Sequence, residues 1–228
     1  MLTDITNQFD HMIARVQNSE LFTDPWPHMF ITDIIKPDYY RKFCEFEIAE
    51  GMNKSQEEGR IQYTLDLTTF TESQVNYFNK KSNQLFHVIA EKFGLVFENE
   101  FVPQTTNFWL DTKDLLIDDI HIDAFKDTMF TLSGLIYLPK DMSQKQYGSK
   151  LYSYIGNNIT EHAIKDEGTQ HHHTALWDHV DQFELKRTLP FLPNCMFIAP
   201  NFDNTWHQAP TNIADGDVRK SCMFRWKV

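Results

Sequence analysis

The tripeptide His121-Ile122-Asp123 and the distant His207 are the residues of this chain best suited to chemistry. A strand sends side chains i and i+2 to the same face. In an extended segment the His121 imidazole and the Asp123 carboxylate therefore reach one point, while Ile122 turns away. His207 can add a second imidazole, with Trp206 beside it placed to fix the ring and exclude water. Two imidazoles and one carboxylate, with other positions left open, make the facial donor set of mononuclear non-haem Fe(II) centres. H-x-D alone is a common chance pattern. A lone histidine after an apolar strand is more often a hydrogen-bonded filler than a ligand, so the surrounding chain has to supply the weight.

The C-terminal stretch supplies some of it. Residues 218–226 alternate, placing Arg219, Ser221, Met223 and Arg225 on one face and Lys220, Cys222, Phe224 and Trp226 on the other. Charges on a strand otherwise built for burial need anionic partners. Two remain open: an Asp or Glu of the chain, which has 32 of them, or a dicarboxylate ligand met bidentately by a guanidinium fork. The run His171-His172-His173 is a weaker candidate, because adjacent residues do not readily converge on one ion. It lies in residues 156–181, a long polar segment that reads as a solvated or functional loop.

The elements that must position these residues follow from periodicity. Phe9, Met12, Ile13 and Val16 predict one short amphipathic helix within residues 1–22, stopped by Asp24-Pro25-Trp26-Pro27. Residues 28–32 predict a strand, and Pro37 opens a helix carrying Tyr39, Tyr40, Phe43 and Phe46. Residues 60–67 alternate as a half-buried strand. Thr71 to Gln74 opens a long helix to about Phe93, with Gly94 as its stop. From residue 95 strands and turns take over, at 95–98, 105–110, 118–124, 130–138, 149–155, 182–186, 194–199, 204–208 and 217–227. Helices followed by many short strands predict an α+β domain with a β-sandwich or jelly-roll core. The expectation is a single domain over 1–228, helix-rich to residue 94 and jelly-roll from 95.

Composition narrows the function. With 228 residues, 41% hydrophobic and 23% charged, the chain reads as one globular domain. A formal charge of -11 argues against a general grip on nucleic acid, which needs a basic face to replace phosphate counterions. Cys44, Cys195 and Cys222 are scattered and odd in number, as expected of reduced thiols in a cytoplasmic protein. The first residues lack a signal-peptide pattern, and no apolar run reaches membrane-spanning length.

In sequence order, the motifs are His121-Ile-Asp123, Gly134-Leu-Ile-Tyr-Leu-Pro139, Tyr147-Gly-Ser-Lys-Leu-Tyr152, Phe191-Leu-Pro-Asn-Cys-Met-Phe-Ile-Ala-Pro200, Trp206-His-Gln-Ala-Pro210 and Arg219-Lys-Ser-Cys-Met-Phe-Arg-Trp226. This series resembles the 2-oxoglutarate- and Fe(II)-dependent oxygenases, closest to the prolyl-4-hydroxylase-like superfamily with its viral and bacterial members. The resemblance covers residues 25–228. It implies a double-stranded β-helix core with N-terminal packing helices. It also implies Fe(II) held by His121, Asp123 and His207, with 2-oxoglutarate and O₂ as cosubstrates. Arg219 would bind the distal carboxylate, Ser221 would add a hydrogen bond, and Tyr137 would bond the same carboxylate. Read without the family, Tyr137 is equally a core aromatic. Arg225 would sit near the C1 carboxylate or the substrate, and Asn107, Trp109 and Asp111 are candidates for substrate contact. Two features depart from many relatives: the longer spacing from His207 to Arg219, and Gly148-Ser149-Lys150 in place of paired glycines. The implied activity is hydroxylation of an unactivated C–H bond in a peptidyl or small-molecule substrate. The alternatives are a non-catalytic β-helix binding protein and a His₂Asp zinc hydrolase, which leaves the two arginines on one face unexplained.

Overall fold

Trp226, Phe224 and Cys222 alternate along the last strand, and the face they form organises the helices. In this computed structural model, which describes residues 2–44, 52–57, 59–96, 102–115, 120–122, 130–156, 173–174, 177–202 and 204–227, that face is fully buried. Against it pack α1 (Leu2–Thr6), α2 (Phe9–Gln17) and α4 (Glu72–Lys92) through Leu2, Ile5, Phe9, Met12, Val16, Phe78, Leu85, Phe86 and Ile89. Trp226 Nε1 donates to Ser82 Oγ at 3.0 Å, so the one polar atom of this large side chain has a partner on α4. α4 begins where Thr71 to Gln74 predicted a helix start, with a capping box between those two residues, and Gly94, at φ +69°, ends it. The N-terminal segment forms two helices rather than one. Between them the Gln8 side chain accepts from Lys36 N at 3.2 Å. α3 (Pro37–Cys44) starts at the proline as expected.

The strands form two antiparallel sheets. The larger has the order β1 (Met29–Thr32), β10 (Cys195–Pro200), β6 (Phe130–Tyr137), β12 (Arg219–Lys227), β4 (Val102–Asp111), β3 (Arg60–Leu65), β2 (Met52–Glu57). The smaller has the order β8 (His173–Thr174), β5 (His121–Ile122), β11 (His207–Gln208), β7 (Lys150–Tyr154), β9 (Phe183–Thr188). From residue 102 the chain shuttles between them, with β4, β6, β10 and β12 in the large sheet and β5, β7, β8, β9 and β11 in the small one. Three strands of the large sheet come from the first 94 residues, so the helix-rich part also extends the sheet. The polar segment 156–181 is described only at its two ends and in β8, which pairs with β5, and in a 3₁₀ turn (Trp177–Gln182).

The faces turned toward each other form a second core of Trp26, Trp109, Leu135, Tyr137, Tyr147, Leu151, Phe191, Phe197 and Met223. Gly148 permits the close approach of the chain before β7 to the chain after β9 within the small sheet: a Cβ there would lie 1.7 Å from the Leu189 carbonyl oxygen. Among the described residues no helix is long and apolar enough to cross a membrane.

Candidate active site

β5 and β11 meet in register at His121 and His207, whose ring centroids are 4.5 Å apart. His207 is also opposite Leu151 of β7. Directly opposed residues share a face, and Leu151 packs in the core between the sheets. Both imidazoles therefore belong to the face turned toward the large sheet. Ile122 goes the other way, into a cluster with Ile120, Tyr152, Phe183 and Trp206. Trp206 accordingly packs behind the histidine strand, against Phe183 at 4.8 Å, and does not cover the imidazole as its position next to His207 suggested. A strand's alternation forbids both neighbours from pointing the same way.

His207 Nδ1 lies 2.9 Å from the Thr205 carbonyl oxygen. A carbonyl only accepts, so Nδ1 is the donor in this contact, the arrangement found in histidines that ligate a metal through Nε2. His121 and His207 are half-buried. These residues fit a metal ion on donor type, tautomer and proximity. Asp123 lies outside the described residues, as do His171 and His172, so the carboxylate remains a reading of the sequence.

The facing strands of the large sheet carry the polar groups in rows. In one, Arg60, Asp111 and Arg219 are successive register partners. Asp111, fully buried, accepts from Arg60 Nε at 2.6 Å and Nη2 at 3.2 Å, and from Arg219 Nη1 at 2.8 Å. Arg219 is 2% exposed, donates through Nε to the Tyr147 carbonyl at 2.9 Å, and lies 5.3 Å from the Phe191 ring centroid. Of the two partners the sequence left open, a protein carboxylate is therefore present. The next row runs Gln62, Trp109, Ser221, Tyr137, Cys195. Ser221 Oγ is buried with no hydrogen-bond partner among the described residues. The Tyr137 hydroxyl donates to Ser149 Oγ at 2.9 Å and accepts from Ser149 N at 3.2 Å. Burial pushes this phenol's pKa upward against the opposing pull of Arg219, so it stays a neutral hydroxyl. Arg225 lies over the Trp109 ring at 5.5 Å, which Arg60 approaches to 4.1 Å, while the indole N–H donates to Gln62 at 2.8 Å. Asn107 accepts from Thr64 Oγ1 at 2.9 Å.

Arg60, Gln62, Tyr147 and Ser149 were not foreseen. Arg60 and Gln62 do alternate with Ile61 and Tyr63, which was signal enough to place them on one face. Nothing local indicated that this face joins Asp111. At the far edge, His28 is fully buried, donates Nδ1–H to the Trp26 carbonyl at 2.8 Å, and has Nε2 3.4 Å from Arg187 Nη1. Burial is the main cause that lowers its pKa, and Arg187 adds to it.

Comparison with solved structures places this arrangement. A Pseudomonas putida prolyl-4-hydroxylase aligns with 95% of this chain and 98% of its own, at a TM-score of 0.52 and 15% identity. The epimerase SnoN, solved with Fe3+, alpha ketoglutarate and nogalamycin RO, aligns over 96% and 83%, at 0.55 and 11%. The fold is that of the 2-oxoglutarate and Fe(II) oxygenases. A Trichoplax adhaerens prolyl hydroxylase, solved with a hypoxia inducible factor peptide, shares the same oxygenase fold over 99% and 91%, at 0.52 and 9%. At these identities the likeness is one of chain path. No protein-family model matches the sequence, and no curated protein matches it.

Proposed function

We propose that this protein is an Fe(II)- and 2-oxoglutarate-dependent oxygenase of the prolyl-4-hydroxylase-like kind, its chamber enclosed by two sheets wound as a double-stranded β-helix. The observation that carries the reading is the in-register pair His121 and His207, with His207 Nδ1 turned to the Thr205 carbonyl. The shared fold and the alternation of strands between the two sheets support it.

In this reading His121, His207 and Asp123 hold Fe(II). Bound Fe(II) with 2-oxoglutarate and O₂ supplies the oxidising power to hydroxylate an unactivated C–H bond, releasing succinate and CO₂. Arg219 receives the distal carboxylate of the cosubstrate, held in place by Asp111 and the Tyr147 carbonyl. The unpartnered Ser221 hydroxyl and the Tyr137 hydroxyl, in the adjacent row, are the further donors for that carboxylate. Arg225 and Trp109 line the side on which a substrate or the C1 carboxylate lies. The substrate is a peptidyl side chain or a small molecule, as for the proteins of the same fold. The apolar groups between the sheets, Leu135, Phe197 and Met223, keep water from the reacting centre.

One observation favours a second reading, a non-catalytic protein that keeps the chamber for binding: Arg219 is already paired with Asp111. Turnover separates the two. With Fe(II), O₂ and a panel of peptidyl and small-molecule acceptors, 2-oxoglutarate should be converted to succinate, and His121→Ala should abolish this. Succinate formation that persists undiminished in His121→Ala would remove the histidine pair from the chemistry. Its complete absence from iron-loaded protein with every acceptor would favour the binding module.

A further inference from the structure

The Arg60–Asp111–Arg219 row holds two guanidiniums and one carboxylate. All three are successive register partners, and Asp111 and Arg219 are almost fully removed from water, with Arg60 at 11% exposure. An isolated Arg219–Asp111 pair would be electrically neutral and would attract a ligand anion weakly. Arg60 changes that sum. It grips both oxygens of Asp111, at 2.6 and 3.2 Å, and the row then carries one net positive charge. The Trp109 ring, 4.1 Å from the Arg60 guanidinium, fixes its plane without neutralising it. On the other side Arg219 spends Nε on the Tyr147 carbonyl and Nη1 on Asp111. Its Nη2 has no hydrogen-bond partner among the described residues. A buried net charge next to an unpartnered hydroxyl, Ser221 Oγ, is a site arranged for an anion rather than for closed internal pairing.

We infer that Arg60, a residue of the third strand with no part in ligating metal, sets the charge of the cosubstrate subsite and so determines that it takes a dicarboxylate. It is a positioning residue acting through Asp111. The inference rests on the reading of the chamber as a 2-oxoglutarate site and adds to it what makes the distal carboxylate preferred.

The test compares two keto acids, 2-oxoglutarate and 2-oxovalerate, which lacks the distal carboxylate, by calorimetry on Mn(II)-loaded protein without O₂. Arg60→Met keeps the neutral Arg219–Asp111 pair and should weaken 2-oxoglutarate roughly tenfold, the scale of losing one charge-assisted contribution. It should leave 2-oxovalerate and Mn(II) binding unchanged. Arg60→Lys keeps the charge but replaces the fork by a point charge, and should bind 2-oxoglutarate more tightly than Arg60→Met and keep the preference over 2-oxovalerate. Equal loss for both keto acids, equal loss in both variants, or no loss in Arg60→Met would each overturn the assignment. Should Arg60→Met not fold, Arg60→Lys and the wild-type preference for the dicarboxylate still decide, since loss of that preference in Arg60→Lys would contradict a charge-setting role. A wild-type protein that binds no 2-oxoglutarate would instead overturn the oxygenase reading itself.

Discussion

The two walls of the chamber are prepared in different ways. On the small sheet, two-residue strands bring His121 and His207 together in register, and the imidazoles are half-buried. On the large sheet, the nine-residue β12 holds Arg219 within a net of side-chain bonds at 2% exposure. The histidine edge can thus lose a side chain without disturbing the packing behind it, where Ile122 and Trp206 face away. The buried centre of the charged row cannot, because Asp111 and Arg219 satisfy each other out of water. Binding and folding are separable on one wall and joined on the other.

The sharpest way to break this comparison is Asp111→Ala. It leaves two guanidiniums, one of them fully buried, without their carboxylate, and should cost about 3–5 kcal/mol of stability, read as a lowered denaturant midpoint. A loss below about 1 kcal/mol would show that the row is hydrated and loose. His207→Ala should do the reverse: its stability should stay within about 1 kcal/mol of wild type in the absence of metal. Its Fe(II) affinity should fall at least about a hundredfold, as expected when a first ligand is lost where outer partners already cost about 10–100-fold. Metal competition titrations and denaturation on the same samples check both. Asp123→Ala should match His207→Ala in Fe(II) affinity; unchanged affinity would take that carboxylate out of the donor set.

The His28 cluster gives a smaller effect, on pH. Its folded pKa lies below 6.5 through burial and the nearby Arg187, against the Trp26 carbonyl and Asp24, which favour the charged ring. Between the folded and unfolded values the unfolded chain binds more protons. The contribution of His28 is therefore complete above pH 6.5 and lost as pH falls through the folded value. Midpoints measured across that range should decline on acidification, less steeply in His28→Gln. The smallest effect is expected at Ser221→Ala. Removing a buried hydroxyl without a partner should leave stability unchanged or raise it by up to about 1 kcal/mol. It should also weaken 2-oxoglutarate a few-fold by calorimetry.

Much of the framework was readable before any coordinates. The alternation in 219–226 and 130–138 and the Thr71–Gln74 cap signal gave strands and a helix that the structure contains, because local geometry alone produces those patterns. β2 was invisible: Lys54, Ser55 and Gln56 sit exposed on an edge strand, so neither face demands apolar residues. The two-residue β8 is too short to leave any period. At the candidate site, the convergence of His121 and His207 was legible as a family pattern, and the two are paired. The partner of Arg219 was not. Asp111 is 108 positions away in sequence, and only the register of β4 against β12 brings the two together. Trp206 was misjudged for a local reason, since adjacency in a strand places neighbours on opposite faces.

The histidine edge as an iron site that accepts a chelating keto acid is tested most directly by anaerobic visible spectroscopy. Wild-type protein with one equivalent of Fe(II) should develop a weak charge-transfer band when 2-oxoglutarate is added, and His207→Ala should not. Iron demonstrably bound to the wild type with no band on adding 2-oxoglutarate, or a band undiminished in His207→Ala, would contradict it.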